Sequence, residues 1–261
     1  MGFGDSLLLS GIAKRINAMT NQRVCPVDAK WEPYWDALWD GIPYMQKEMT
    51  IDCAALRNGP SVRQYYSGMA GNRIIWRKWD IAPGEIRLTN EERKWAVEQF
   101  TMKDQHPRFL LINPSWKAAG GGGQNKDWGF KRWQEVAWAL RDVLLVQVGK
   151  LGASPWLGGA VQIETPTFRH ACAILERSVG YVGHEGGLHH AAAALGRPAV
   201  VVFGGYISPE ITGYGIHKNL FAPSPEYPLG CGTVTPCAHC RSAMDQITVE
   251  EVVEAVREML R

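Results

Sequence analysis

The chain has 261 residues, 46% of them hydrophobic and 21% charged, with a formal net charge of +2. That apolar content and low net charge exclude a disordered chain. The small charge gives no ground for a nucleic-acid or membrane partner, and no run of about 18 apolar residues calls for a transmembrane helix. An acid, Asp5, stands where a signal peptide would be basic. The expectation is therefore a cytoplasmic protein.

In chain order, Asp5 to Thr20 predicts a helix, with Leu8, Ile12, Ile16 and Met19 at helical spacing. Val24 to Val27 reads as a short strand. Trp31, Trp35 and Trp39 are four apart and suggest a helical turn over 32–40 with one aromatic face. Arg57 to Met69 reads as helix and Arg73 to Trp76 as strand. Thr89, followed by Glu91 and Glu92, opens another helix. Lys103 to Pro107 is polar and ends in proline, which places a domain boundary there and divides the chain into residues 1–105 and 106–261.

Beyond that boundary the pattern is regular. Apolar runs at Phe109–Ile112, Val143–Val148, Gly180–Gly183 and Ala199–Phe203 read as buried strands. They alternate with helical stretches at Lys131–Leu140, Thr167–Glu176 and Leu188–Leu195, and Thr248–Leu260 closes the chain as a helix. Strands alternating with helices predict an α/β fold with a parallel sheet. Ligands of such sheets bind beyond the C-terminal strand ends.

Two loops at such ends carry polar and glycine residues. After the Phe109 strand come Ser115, then Gly120 to Gly123, then Gln124, Asn125 and Lys126. Glycines let backbone N–H groups approach an anion, and a lysine beside them neutralises a diphosphate. A flexible surface loop with a solvated lysine accounts for these residues equally well. The second loop is Gly183-His184-Glu185-Gly186-Gly187-Leu188-His189-His190, where a strand ends and a helix starts. A helix N-terminus attracts phosphate, and Glu185 suits ribose or sugar hydroxyls. His189 and His190 are adjacent, so they leave a helix on different faces and make a poor metal pair. Asp5 reads from position alone as a favourable charge at a helix start; a general base is the sharper alternative.

The eleven tryptophans read as core packing before they read as a platform for sugars or bases. Arg57, Arg63, Arg73, Arg77 and Lys78 interleave with Tyr65, Tyr66, Trp76 and Trp79. Such a mixture can track phosphates and stack bases, but a solvated face over core aromatics explains it as well. Cys231, Cys237 and Cys240 form a Cys-x5-Cys-x2-Cys cluster suited to structural zinc or iron, with His239, Cys25 or Cys53 as a fourth ligand; free buried thiols are the alternative.

Taken together these stretches resemble glycosyltransferase family 9, the lipopolysaccharide heptosyltransferases. Lys126-Asp127-Trp128 with Trp133 resembles the family's Lys-x-Trp segment. The run Gly183 to Pro198 is similar to its Asp-Thr-Gly-x-x-His-x-x-x-Ala-Leu-x-x-Pro signature. Val201-Val202-Phe203-Gly204-Gly205 and Ser208-Pro209 to Tyr214-Gly215 resemble the segments that follow, and Gly2-Phe3-Gly4-Asp5 resembles the Gly-x-Gly-Asp motif.

The resemblance implies a GT-B-like fold of two Rossmann-like domains with parallel sheets, the N-terminal one reduced. It implies an inverting, metal-independent transferase that needs no cofactor for catalysis and moves a sugar from a nucleoside diphosphate to a saccharide or glycoconjugate. Asp5 would be the base and Lys126 the diphosphate ligand. Ser115, Gly122, Gly123, Glu185, Gly186, Gly187, His190, Gly204 and Gly205 would line the donor site. Glu185 stands where the family has aspartate, and Gly186 replaces its threonine. Family members place a strand before Gly-x-Gly-Asp; here the motif begins at residue 2. Some relatives that glycosylate autotransporters carry an iron-bound cysteine finger, which the cluster resembles. The alternatives are a transferase acting on hydroxymethylated bases in DNA and a non-catalytic nucleotide-binding module.

Overall fold

The computed structural model describes residues 2–28, 30–57, 65–100, 107–114, 123–150 and 155–261. The chain begins with helix α1 (Phe3–Thr20), which Asn21 ends in the left-handed conformation by donating its N–H to the Asn17 carbonyl. Every residue from Ser6 to Ala13 is buried, whereas Met19 is exposed. The first half of α1 is thus enclosed on all sides instead of showing one apolar face. Gly84 explains how: a Cβ there would lie 2.2 Å from the Leu7 carbonyl oxygen, so only glycine lets the chain cross the helix this closely. Trp39 adds a hydrogen bond from its indole N–H to the Ser6 carbonyl (2.9 Å).

Strands β1 (Arg23–Val27) and β2 (Cys53–Arg57) form a two-stranded parallel sheet. Between them a 3-10 turn, Ala37–Trp39, replaces the expected longer helical stretch; Trp35 meets Trp39 edge-on, while Trp31 stands exposed. The helix expected over 57–69 is not formed by the described residues. β3 (Tyr66–Ala70) and β4 (Arg73–Trp76) make an antiparallel hairpin, turned at Gly71 with φ +58°. Its partner contact is distant in sequence: Arg73 bridges to Thr233. Helix α2 (Asn90–Glu98) starts as read, with Thr89 and Glu92 exchanging hydrogen bonds in a capping box.

The remaining strands are β5 (Leu110–Asn113), β6 (Leu145–Gly149), β7 (Val161–Glu164), β8 (Tyr181–His184), β9 (Ala199–Val202) and β10 (His217–Leu220). They form one parallel sheet in the order β10-β9-β8-β5-β6-β7. Alternate side chains point to opposite faces, and both faces are dry. Leu110, Ile112, Val182 and Val200 pack under α3 (Phe130–Ala139) and α8 (Val249–Leu260). Phe109, Leu111, Tyr181 and Val201 pack under α4 (Phe168–Arg177) and α5 (Gly187–Ala194). That second cluster also takes in Leu7, Trp39 and Ile86, so one apolar core runs on into the N-terminal part. Short helix α6 (Pro209–Thr212) follows β9, and α7 (Ala238–Gln246) precedes α8. The fold is α/β, as read. Among the described residues no helix is long and apolar enough to cross a membrane.

Candidate active site

The strand order fixes where a ligand crevice lies. From β5 the chain moves outward through β6 and β7, then returns to β8 and continues the other way through β9 and β10. The loops leaving β5 and β8 therefore diverge to opposite faces, and the gap above the two strand ends is the topological switch point. Both glycine-containing loops singled out in the sequence leave these two strands.

They meet there. Lys126, in the 3-10 turn Gly123–Lys126, gives its ammonium to Glu185 Oε2 across the switch point. Glu185 follows β8 and is 4% exposed; Lys126 is 21% exposed. His190 Nε2 lies 3.3 Å from the other carboxylate oxygen, and its Nδ1 is 2.8 Å from the Tyr214 hydroxyl. Burial raises the Glu185 carboxyl, but the Lys126 charge and the His190 hydrogen bond outweigh it and hold the group well below the usual carboxylate range. Gly186 and Gly187 come next and open α5, whose first N–H groups have no acceptor within the helix. The crevice thus combines an ammonium, a bridging carboxylate and a helix N-terminus.

Asp5 reaches this crevice from the far end of the chain. The starts of α1 and α5 are in contact: a Cβ on Gly4 would sit 2.7 Å from the His190 ring. Phe3 stacks on Phe168 at 4.3 Å. Asp5 Oδ1 accepts a 2.8 Å hydrogen bond from the Tyr65 hydroxyl, and its other oxygen takes the Gly2 N–H at 3.3 Å. Tyr206, which the sequence reading passed over, lies between the charged groups. The Lys126 ammonium is 5.3 Å from its ring centroid. Burial pushes the Tyr206 phenol up, and the charges of Glu185 and Asp5 both add to that. The signal in the sequence was its place directly after the Gly204-Gly205 turn at the end of β9.

Other expected site residues have different surroundings. Ser115 and Gly122 lie outside the described residues; Gly123 begins the turn that carries Lys126. A Cβ on Gly204 would strike Met244 at 2.5 Å, and one on Gly205 would strike Ala243 at 2.9 Å. These two glycines bring β9 close to α7. Several of the basic and aromatic groups considered for DNA have partners within the fold, although Arg77 and Lys78 remain exposed. Trp76 and Trp79 donate to the carbonyls of Tyr206 and Ile211, Arg73 donates to that of Cys231, and Lys78 pairs with Glu210. Arg63 lies outside the described residues.

Behind the crevice, His189 and His217 are buried beside His190 and Tyr214. Neither ring nitrogen of His189 has a hydrogen-bond partner. Burial pushes its imidazole well down; burial likewise takes His217 to about 4, against the lift from its 3.2 Å contact with the Arg197 carbonyl. An unfolded histidine titrates at ~6.5. Between that value and about 4 the unfolded chain binds a proton that folded His217 refuses, so stability falls as the pH falls. The full window costs on the order of 3 kcal/mol. Urea midpoints are expected to drop between pH 7 and pH 5, and His217→Gln should reduce that drop. An unchanged slope in the variant would remove His217 from the account.

The fold has counterparts of known structure. No protein-family model and no curated protein matches the chain. Among solved structures, the iron-containing dodecameric glycosyltransferase TibC from enterotoxigenic E. coli aligns over 100% of this chain and 74% of its own, at 17% identity and TM-score 0.65. A family 9 glycosyl transferase from Veillonella parvula aligns over 100% and 95%, at 12% identity and TM-score 0.63. The chain has a family 9, heptosyltransferase-like glycosyltransferase fold. E. coli ADP-heptose lipopolysaccharide heptosyltransferase II aligns over 69% of this chain at 20% identity and TM-score 0.50, and the chain spans only 54% of its length. TibC is also known in complex with ADP-D-β-D-heptose.

Within this glycosyltransferase fold the cysteine cluster acquires its fourth member. Ligand atoms of Cys231, Cys237, His239 and Cys240 all lie within 4.8 Å of one another. Cys25 and Cys53 stand instead on β1 and β2. Cys231 Sγ is 3.0 Å from Cys240 Sγ and 3.9 Å from Cys237 Sγ. Tetrahedral thiolates at ~2.3 Å from a metal stand about 3.8 Å apart; the Cys231–Cys237 separation matches that, and Cys231 and Cys240 would move apart to admit the ion. The Nδ1 atom of His239 is buried without a hydrogen-bond partner, as an unengaged ligand would be. The hydrogen bond to Cys240 holds the Cys231 thiol below its usual range and pushes Cys240 above it. Gly232 makes the turn beside Cys231 with φ +65°, and a Cβ there would lie 2.1 Å from the Ile74 carbonyl oxygen.

Proposed function

We propose that the chain is an inverting glycosyltransferase that moves a sugar from a nucleoside diphosphate to a hydroxyl acceptor, a saccharide or glycoconjugate. The observation that carries this reading is the convergence of Lys126 with the Glu185-Gly186-Gly187 turn at the switch point of a family 9-like sheet. In this reading residues 106–261 hold the donor and residues 1–105 face the acceptor.

The step is one displacement. The acceptor oxygen attacks the anomeric carbon while the bond from that carbon to the diphosphate oxygen breaks, its electron pair leaving with the diphosphate. The acceptor proton passes to the Asp5 carboxylate, and the anomeric configuration inverts. The transition state has oxocarbenium character. Lys126 and the N–H groups opening α5 stabilise the negative charge that builds on the leaving diphosphate. Glu185 acts through Lys126: with His190 on its other oxygen, it fixes the ammonium at the mouth of the crevice. A zinc or iron ion held by Cys231, Cys237, His239 and Cys240 would supply structural cross-linking and take no part in the transfer.

The neighbours named for ADP-heptose make that donor the first to test, with UDP- and GDP-sugars beside it. A donor at a hundred times its Kd should stabilise the protein by about 2.7 kcal/mol, which raises Tm by roughly 5–10 °C for a chain of this size. A flat response to every nucleotide sugar, with no transfer or hydrolysis of any, would leave only a fold without this activity.

A further inference from the structure

Lys126 is held from two sides. One is the ion pair with Glu185. The other runs through its neighbour Asn125, a buried side chain that uses its whole amide on one short segment. Its Nδ2 donates to the carbonyls of Thr233 (2.6 Å) and Thr235 (2.8 Å), and its Oδ1 accepts the Cys237 N–H (3.0 Å). All three partners lie between Cys231 and Cys240, the stretch that supplies the four clustered ligands. A buried amide with every bond made is rigid, and losing it strands three backbone groups. A cavity of about 390 Å³ at this junction is walled by Asn125, Asp127, Cys237, Cys240 and Arg241.

We propose that Asn125 is a positioning residue that transmits metal occupancy of the Cys231–Cys237–His239–Cys240 cluster to Lys126. A bound metal pins the 231–240 segment; the amide carries that rigidity into the turn Gly123–Lys126, and the ammonium stays at the crevice. Metal loss frees the segment and lets the lysine wander. The coupling is reciprocal, so a diphosphate in the crevice slows metal release. The inference rests on Lys126 being the diphosphate ligand.

The test uses the full chain purified anaerobically, with its metal counted by mass spectrometry. Inorganic pyrophosphate binding is followed by calorimetry and backbone hydrogen exchange over residues 123–127 by mass spectrometry. Stripping the metal with a chelator is expected to weaken pyrophosphate binding about tenfold and to speed exchange in that segment. Asn125→Ala, still carrying its metal, should reproduce both effects, and stripping this variant should add nothing. In Lys126→Ala, stripping should leave the residual pyrophosphate affinity unchanged within about twofold. Multiplicative effects of stripping and Asn125→Ala would overturn the coupling. So would unchanged exchange over 123–127 in metal-loaded Asn125→Ala, a comparison that holds even if stripping unfolds the protein. Wild-type protein that binds no pyrophosphate defeats the donor-site reading alone, since the exchange arm still decides the coupling.

Discussion

Replacing Lys126 with methionine is expected to lower kcat by about 10²–10³-fold. The ammonium is the one cation that the described residues place in the crevice beside the start of α5, and charge builds on the leaving diphosphate only as the bond breaks. The same change strands Glu185, which is almost wholly buried. Breaking a buried ion pair from one side costs about 3–5 kcal/mol. His190 remains on the other carboxylate oxygen and offsets part of this. Adding Glu185→Gln to Lys126→Met should therefore recover most of the lost stability and none of the lost turnover. Denaturant unfolding and initial rates, measured on both single variants and the double, separate the two effects. Near-normal turnover in the double variant would remove Lys126 from the chemistry.

Asp5→Asn is expected to lower kcat by about 10²–10⁴-fold, the usual share of a general base. Donor affinity should stay within about twofold of the parent, because Asp5 stands on the acceptor side of the proposed reaction. The fold should survive. Asparagine keeps one oxygen to accept from the Tyr65 hydroxyl; the exposed Gly2 N–H, which uses the other carboxylate oxygen, turns to water, and Asp5 is only half-buried. The informative comparison is with Tyr65→Phe, which removes the 2.8 Å hydrogen bond and leaves the carboxylate. That variant should retain most of the rate. An Asn variant that turns over within threefold of the parent would mean that Asp5 is only the helix-start charge its position suggests.

Much of the C-terminal part was legible in the sequence because its signals are local. Phe109 to Ile112 is apolar on both faces, and only a covered parallel strand uses such a run. Thr89, Thr167 and Thr248 each begin a helix by accepting the backbone N–H three residues on. Where the signal was not local it failed. The edge strands β7 and β10 read Val-Gln-Ile-Glu and His-Lys-Asn-Leu, too polar to stand out, and they exist because a neighbouring strand offers its open edge. The strand read at Arg73–Trp76 is present, but Tyr66–Ala70 pairs with it and is not the tail of a helix, and Arg73 and Trp76 find partners some 130 to 160 residues later.

The class of the fold, the two loops that carry Lys126 and Glu185, and the closeness of three cysteines follow from local pattern. That those loops face each other, that Asp5 at the opposite end of the chain lies beside them, and that His239 joins the cysteine group come from the folded chain. The reason is physical. Spacing along a chain fixes which face of a helix or strand a residue occupies. Which faces then meet is set by strand order and by the burial of a shared core, and neither is written in any short stretch of residues.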